Sequence, residues 1–468
     1  MRSPFHFSPG GATLSALAFA ACFCSASSWA AGPADAARLG KELSPAGAEI
    51  AASADGVIPA WTTPGEQGPG WSYGRLRGDH WKHKGDQPHY TINAANVDKY
   101  LDKLSEGQMA LLKGIKDFSM EVYPSRRSCG NPNFINENTR KNVGFAKLNA
   151  DGNALQEAYV PGIPFPMPGS GAEAMVNAKM RYRGVGLDMS KDASAVSPRK
   201  GSSEWLRLLT DVFIYFPWAE KGSRTFSQMG QLESLYFYNY LEPTSLAGQS
   251  GVNTVKAGTP SETFMYFPGQ RRVRRMPSFA YDAPQVGLDN QYNVDESNML
   301  SGELDRFDWK LVGKKEMLVP YNSFGAYDFK AKFEDVALRD FIAPSHRRYE
   351  LHRVWVVEAT VRQGMRHAAP KRIFYIDEDS WSIVLAVDYD AQGRVWKVRE
   401  GYLIPVYETG SCDVEAQTQY NLVDGRYLFD STSIAAGKDI KWIADPDGSQ
   451  RMKRDFYTAD NLRAISER

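Results

Sequence analysis

His80-Trp-Lys-His83, with His89 six residues on, gathers three of the chain's seven histidines where imidazoles could converge on a metal ion. A metal site needs further Cys, His or carboxylate donors at matched spacing. No Cys and no second HxxH completes this set, and Lys82 and Lys84 repel a cation. The expected reading is surface histidines in a polar loop, with no metal and no cofactor. HExxH is absent, and Asp445-Pro-Asp-Gly lacks the closing glutamate of a calcium loop. Asp377-Glu378-Asp379 could pair as acid and base, but its composition and spacing predict a charged hairpin turn. No catalytic residues are assigned, and the chain is not expected to be an enzyme.

Arg271, Arg272, Arg274 and Arg275 fall within five positions, after an aromatic run and Pro268-Gly269. If 271–276 is a strand, Arg271, Val273 and Arg275 share one face and Arg272 and Arg274 the other. One pair then points at the packed side of a sheet. A buried guanidinium without a partner costs several kcal/mol, so acids must meet it. Asp282, Asp305, Asp308 and Glu316 are the candidates. The other readings are an anionic headgroup, a cargo carboxylate or a partner protein. Nucleic acid is excluded, because the 468 residues carry 55 basic and 55 acidic side chains.

The N-terminus reads as an export signal over 1–31. Arg2 and His6 precede an apolar run from Ala12 to Phe23, and Ala26-Ser-Ser-Trp-Ala-Ala31 supplies a small-residue cleavage site. The run is too short to span a membrane. A lipid anchor on Cys22 is the second reading, although Phe19 stands where Leu is usual. The exported chain then holds Cys129 and Cys412. Two cysteines in an oxidising compartment suggest one disulfide; two separate buried thiols are the alternative.

The elements that must hold these groups are mostly strands. Helical spacing is confined to short stretches before residue 200, such as 93–115, where Ser105 can cap a helix. Four prolines between 155 and 169 forbid a helix there. Beyond 203, alternating segments follow at 212–216, 234–241, 263–267, 353–362, 371–376, 382–389 and 394–407. They predict a mainly β fold, a large curved antiparallel sheet or incomplete barrel covered by N-terminal helices and loops. Without βαβ alternation, a parallel α/β enzyme is not expected. Many strands carry large apolar groups on both faces, so both faces must be covered or one must curve around a cavity. Phe213, Tyr215, Phe237, Tyr238, Phe264, Tyr266 and Trp355 are the expected lining of that cavity. The expected organisation is a lid segment over 32–200, the sheet over 201–408, and a C-terminal segment, 409–468, packed on the same domain.

Four long motifs carry a resemblance. They are Leu39-Gly-Lys-Glu-Leu-Ser-Pro with Ala54-Asp-Gly-Val-Ile-Pro-Ala-Trp61, Pro268-Gly-Gln-Arg-Arg-Val-Arg-Arg275 with Ala280-Tyr-Asp282, Asp305-Arg-Phe-Asp-Trp-Lys with Val319-Pro-Tyr-Asn322, and Arg348-Tyr-Glu-Leu-His-Arg-Val-Trp355 with Arg372-Ile-Phe-Tyr-Ile-Asp377. In these the chain resembles the proteobacterial periplasmic domain-of-unknown-function family numbered thirteen twenty-nine. The resemblance implies a fold like the LolA and LolB lipoprotein carrier and receptor proteins, with helices in the mouth of a curved sheet. It implies a hydrophobic small molecule or lipid as cargo, and as partners an inner-membrane transporter and an outer-membrane protein. The expected function is a monomeric periplasmic carrier or receptor. The alternative is a structural or accessory subunit of an envelope transport system.

Overall fold

The computed structural model describes residues 32–64, 68–277 and 281–467. The export signal and Cys22 lie outside them. A sixteen-stranded sheet organises the chain. Its path runs from Tyr90–Ile92 and Met120–Val122 through Tyr349–Val361, Lys371–Asp377, Ile383–Tyr389 and Val395–Gly401. It continues through Gln417–Asn421, Arg426–Thr432, Gly186–Val196, Leu206–Tyr215, Leu232–Glu242, Ser250–Lys256 and Thr259–Phe267 to Arg272–Met276. Two further strands lie off this path, Phe307–Pro320 beside Tyr349–Val361 and Lys441–Ile443 beside Gly186–Val196. The pairings are antiparallel except Val122 beside Tyr349. The two ends do not pair, so the sheet is open and not a closed barrel. The alternation read from the sequence matches these strands closely. Strands from both sides of 201–408 complete the sheet, because Gly186–Val196 and the strands after Gln417 fill its centre.

Helices are short. Glu106–Gly114 starts at Ser105, whose hydroxyl accepts the Gln108 N–H while the Gln108 side chain accepts the Ser105 N–H. Gly107 lets this helix approach Val387 and Val398 so closely that a Cβ there would meet their methyls within 3 Å.

Paired residues share a face, so the register defines two faces across the sheet. One face carries Arg372, Asp388, Lys397 and Asn421 in line, with Arg399 beside them. It is buried under the segment Val294–Met299. There Lys397 Nζ donates to Glu296 at 2.7 Å, Arg399 to Asp388 at 2.8 Å, and Arg372 to Asp388 at 3.1 Å and to Asp295. The opposite face is aromatic and aliphatic: Val387, Val398, Tyr420 and Tyr427, then Phe213, Phe237, Val252 and Phe264 at the far end.

Cys129 and Cys412 form a disulfide, Cα to Cα 5.4 Å, across 283 positions of sequence. Bridging so long a loop removes much of the unfolded chain's freedom. Replacing both cysteines by serine is expected to cost about 2–5 kcal/mol of unfolding free energy in denaturant titration. Thiol titration of the unreduced, denatured chain lacking residues 1–31 is expected to find no free thiol.

Candidate functional site

The aromatic set expected to line one cavity divides between the faces. Phe213, Tyr215, Phe237, Phe264 and Tyr266 lie on the aromatic face. Tyr238 lies on the opposite one, beside Val212 and over Gly251. Trp355 shares that opposite face many strands away, stacked on Trp381 with Lys314 over its ring. A single cavity lined by all seven is therefore not formed. The reason is the two-residue repeat of a strand, which sends neighbours such as Phe237 and Tyr238 to opposite sides.

The five residues that do converge lie under the C-terminal segment. Two short turns, Gln450–Met452 and Arg454–Tyr457, and the helix Ala459–Ser466 cross this end of the sheet. The helix begins at Thr458, whose hydroxyl accepts the Asn461 N–H. Leu462 is fully buried. Phe456 meets Phe237 edge-on with centroids 5.5 Å apart. Among the described residues, one side-chain hydrogen bond ties the helix to the sheet, between the Ser250 and Ser466 hydroxyls at 2.7 Å. A groove of about 430 Å³ remains between them, lined by Phe237, Asn239, Gly248, Ser250, Arg451, Phe456, Ile465 and Ser466. Its lining is mixed: Phe237, Phe456 and Ile465 are apolar, while Asn239, Ser250, Ser466 and Arg451 bring an amide, two hydroxyls and a guanidinium. Such a site offers non-covalent contact and no nucleophile–base pair. Arg451, Phe456 and Ile465 were missed in the sequence, although Leu462 and Ile465 at i and i+3 after a Thr cap were a legible signal.

The arginine run occupies the outermost strand, Arg272–Met276, which among the described residues pairs only with Thr259–Phe267. Arg271 precedes it in a turn with positive φ. All four arginines are exposed. The four candidate acids are engaged elsewhere: Asp308 with Arg362, Glu316 with Arg353 and Lys103, Asp305 with the Tyr281 hydroxyl, Asp282 with the Ala368 N–H. Arg275 meets Glu262 at 3.1 Å, both exposed, and such a pair contributes little. Arg274 donates to Gln270. The expected buried ion pairing is thus replaced by a charged edge, which discourages another strand from docking.

Asp377, Glu378 and Asp379 lie at the turn between the paired strands Lys371–Asp377 and Ile383–Tyr389, as expected, and that turn is buried. Arg127 donates to both oxygens of Asp379 at 2.9 and 2.7 Å, and Lys314 to Glu378 at 2.7 Å. Ser380 donates its N–H and hydroxyl to Asp377 Oδ2, while Oδ1 has no hydrogen-bond partner among the described residues. Burial and the neighbouring Asp379 push the Asp377 carboxyl well above its usual range. His352 lies within 4.8 Å of both aspartates and stacks on Tyr321. This trio has metal-ligand types, but Arg127 already neutralises Asp379, so the cluster works as an internal ion pair beside a carboxyl whose charged form is disfavoured. The sequence hid this because its cover, Arg127 and Glu49, comes from over two hundred residues upstream.

The His80 region borders a second depression of about 630 Å³, lined by Pro69, Arg75, Leu76, Asp79, His80, Trp81, Lys82, Lys84 and Lys330. His83 and His89 are not among its walls. Among the described residues no third ligand joins these histidines. One further motif, Gly70-Trp-Ser-Tyr-Gly74, has the GxSxG spacing but escaped the sequence reading. It lies in turns with Ser72 exposed, without the strand that a nucleophile elbow needs.

A family model described as a protein of unknown function, DUF1329, matches residues 91–463. The chain belongs to the DUF1329 family. An uncharacterized protein of Pseudomonas aeruginosa is 36% identical over 404 residues, covering 84% of this chain and 86% of its own. Two solved structures are similar in fold. A domain from Vibrio parahaemolyticus named for outer membrane lipoprotein sorting has a TM-score of 0.41 and 14% identity, over 63% of this chain and 98% of its own. A LolA superfamily protein from Nitrosomonas europaea has a TM-score of 0.35 and 12% identity, over 63% and 99%.

Two measurements test these assignments. With its folded pKa raised, Asp377 favours the native state fully below its unfolded value near ~4 and loses that contribution as pH rises. Asp377→Asn is therefore expected to gain melting temperature relative to wild type as pH rises from about 4; a constant difference would contradict the raised pKa. Arg272→Thr with Arg274→Thr is expected to keep the fold but self-associate in light scattering. A monodisperse variant would remove the edge-guard role.

Proposed function

We propose that this chain is a periplasmic carrier or receptor that holds a lipid-like molecule non-covalently and performs no covalent chemistry. The observation that carries the reading is the aromatic end of the sheet, covered by a short C-terminal helix that leaves a groove of about 430 Å³ over Phe237. Apolar burial in such a groove supplies about 25 cal/mol per Å² before ordering costs. A carrier needs no more than moderate affinity, since cargo must be handed on. The Cys129–Cys412 bridge supports an oxidising compartment, in keeping with the export signal of the sequence. Donor and acceptor would be membrane proteins of the two envelope membranes.

The second reading, an accessory subunit without cargo, is favoured by the filled interior elsewhere, where Trp218, Trp381 and Trp442 are wholly buried. Native mass spectrometry of gently purified protein, with displacement of a fluorescent fatty acid, separates the two. Saturable uptake, weakened at least fivefold by Phe237→Ala, is expected. A chain that takes up no lipid or fatty acid would leave the accessory role.

A further inference from the structure

The rim of the groove carries one feature that apolar cargo alone does not require. Arg451 places its guanidinium over the Phe213 and Phe237 rings, at 5.5 and 5.6 Å from their centroids. Among the described residues it meets no carboxylate. Several arginines that pack inward elsewhere do: Arg127 with Asp379, Arg181 with Asp413, Arg348 with Glu350, Arg372 and Arg399 with Asp388. Buried Arg347, which lies over the Phe118 and Phe341 rings, donates instead to the Tyr349 hydroxyl and the Ser119 carbonyl. A guanidinium held on aromatic faces keeps its N–H groups for a planar anion, and its fork matches a carboxylate or phosphate. Nearby, Asn239, Ser250 and Ser466 add hydrogen-bonding groups, while Phe237, Phe456 and Ile465 supply apolar wall. A charged point beside an apolar wall of three side chains is the complement of an amphiphile with one anionic head. The volume is at the low end of the ~300–1,000 Å³ of ligand sites, which suits a single acyl chain better than two.

We propose that the cargo is an anionic single-chain amphiphile and that Arg451 receives its head, with the chain running over Phe237 beneath the C-terminal helix. This rests on the carrier reading given above. The head chemistry is shared by a fatty acid carboxylate and a lysophospholipid phosphate.

The test uses the whole exported chain, as wild type, Arg451→Gln and Arg451→Lys, in titrations followed by native mass spectrometry. The ligands are palmitate, palmitoyl lysophosphatidylglycerol, uncharged hexadecanol and two-chain dioleoyl phosphatidylglycerol. Wild type is expected to bind one or both single-chain anions at least tenfold more tightly than hexadecanol and the two-chain lipid. Whichever anion shows this preference identifies the head. Arg451→Gln is expected to lose about tenfold for that anion, the scale of one charged hydrogen bond, with hexadecanol unchanged. Arg451→Lys should recover part of the loss. Equal binding of palmitate, the lysolipid and hexadecanol, or an equal loss for charged and uncharged ligands in Arg451→Gln, overturns the role of Arg451 and leaves the carrier standing. Preference for the two-chain lipid overturns the single-chain assignment. Failure to bind any of the four removes the carrier reading itself. Melting curves of both variants within a few degrees of wild type exclude a folding defect.

Discussion

A layer of opposite charges buried between the sheet and Val294–Met299 sets the terms for the rest of the molecule. Asp295 and Glu296 come from one short turn; Arg372, Asp388, Lys397 and Arg399 come from three neighbouring strands. None of these ions can be withdrawn singly, because an abandoned partner in such surroundings costs about 3–5 kcal/mol. A slip of one residue in any of the three strands would turn its charges into the aliphatic layer opposite. The layer thus holds strand register and the covering segment together. It also commits that face to structure, which leaves the aromatic face as the surface free to meet something else.

The aromatic face is itself graded along the sheet. Near Val387 and Val398 it is closed by the capped helix Glu106–Gly114, pressed in by Gly107. Near Phe213, Phe237 and Phe264 it is closed by the C-terminal tail, which leaves the groove open beside it. The filled end and the grooved end share one continuous sheet. A guest at the second end need not disturb the packing of the first.

Local signals were readable from the residues: the alternation of 234–241, the Ser105 cap, the paired cysteines. The central strands Gly186–Val196 and Arg426–Thr432 were harder, because their small and polar residues, such as Ser194 and Asp430, face a polar layer supplied from elsewhere. Solvent-facing and buried polar positions look identical until their partners are known. The same ambiguity left the hairpin turn of Asp377 to Asp379 without a sign of its burial and made the exposed arginine run resemble a buried one. In both cases residue types were plain, and what decided the outcome was a neighbour far away in sequence. For the aromatic set, composition pointed to binding surface, but strand parity divided it. The residues that complete the groove, Arg451 and Phe456, come from a tail whose docking place no local pattern announces.

The bridge between Cys129 and Cys412 closes 283 positions into one covalent ring, and the tail lies outside that ring. Lifting the segment after Lys441–Ile443 from the groove leaves that ring closed, so neither the disulfide nor the strands between its two cysteines need part when the cover moves. The molecule resembles a bound book whose back cover turns while the binding stays tight.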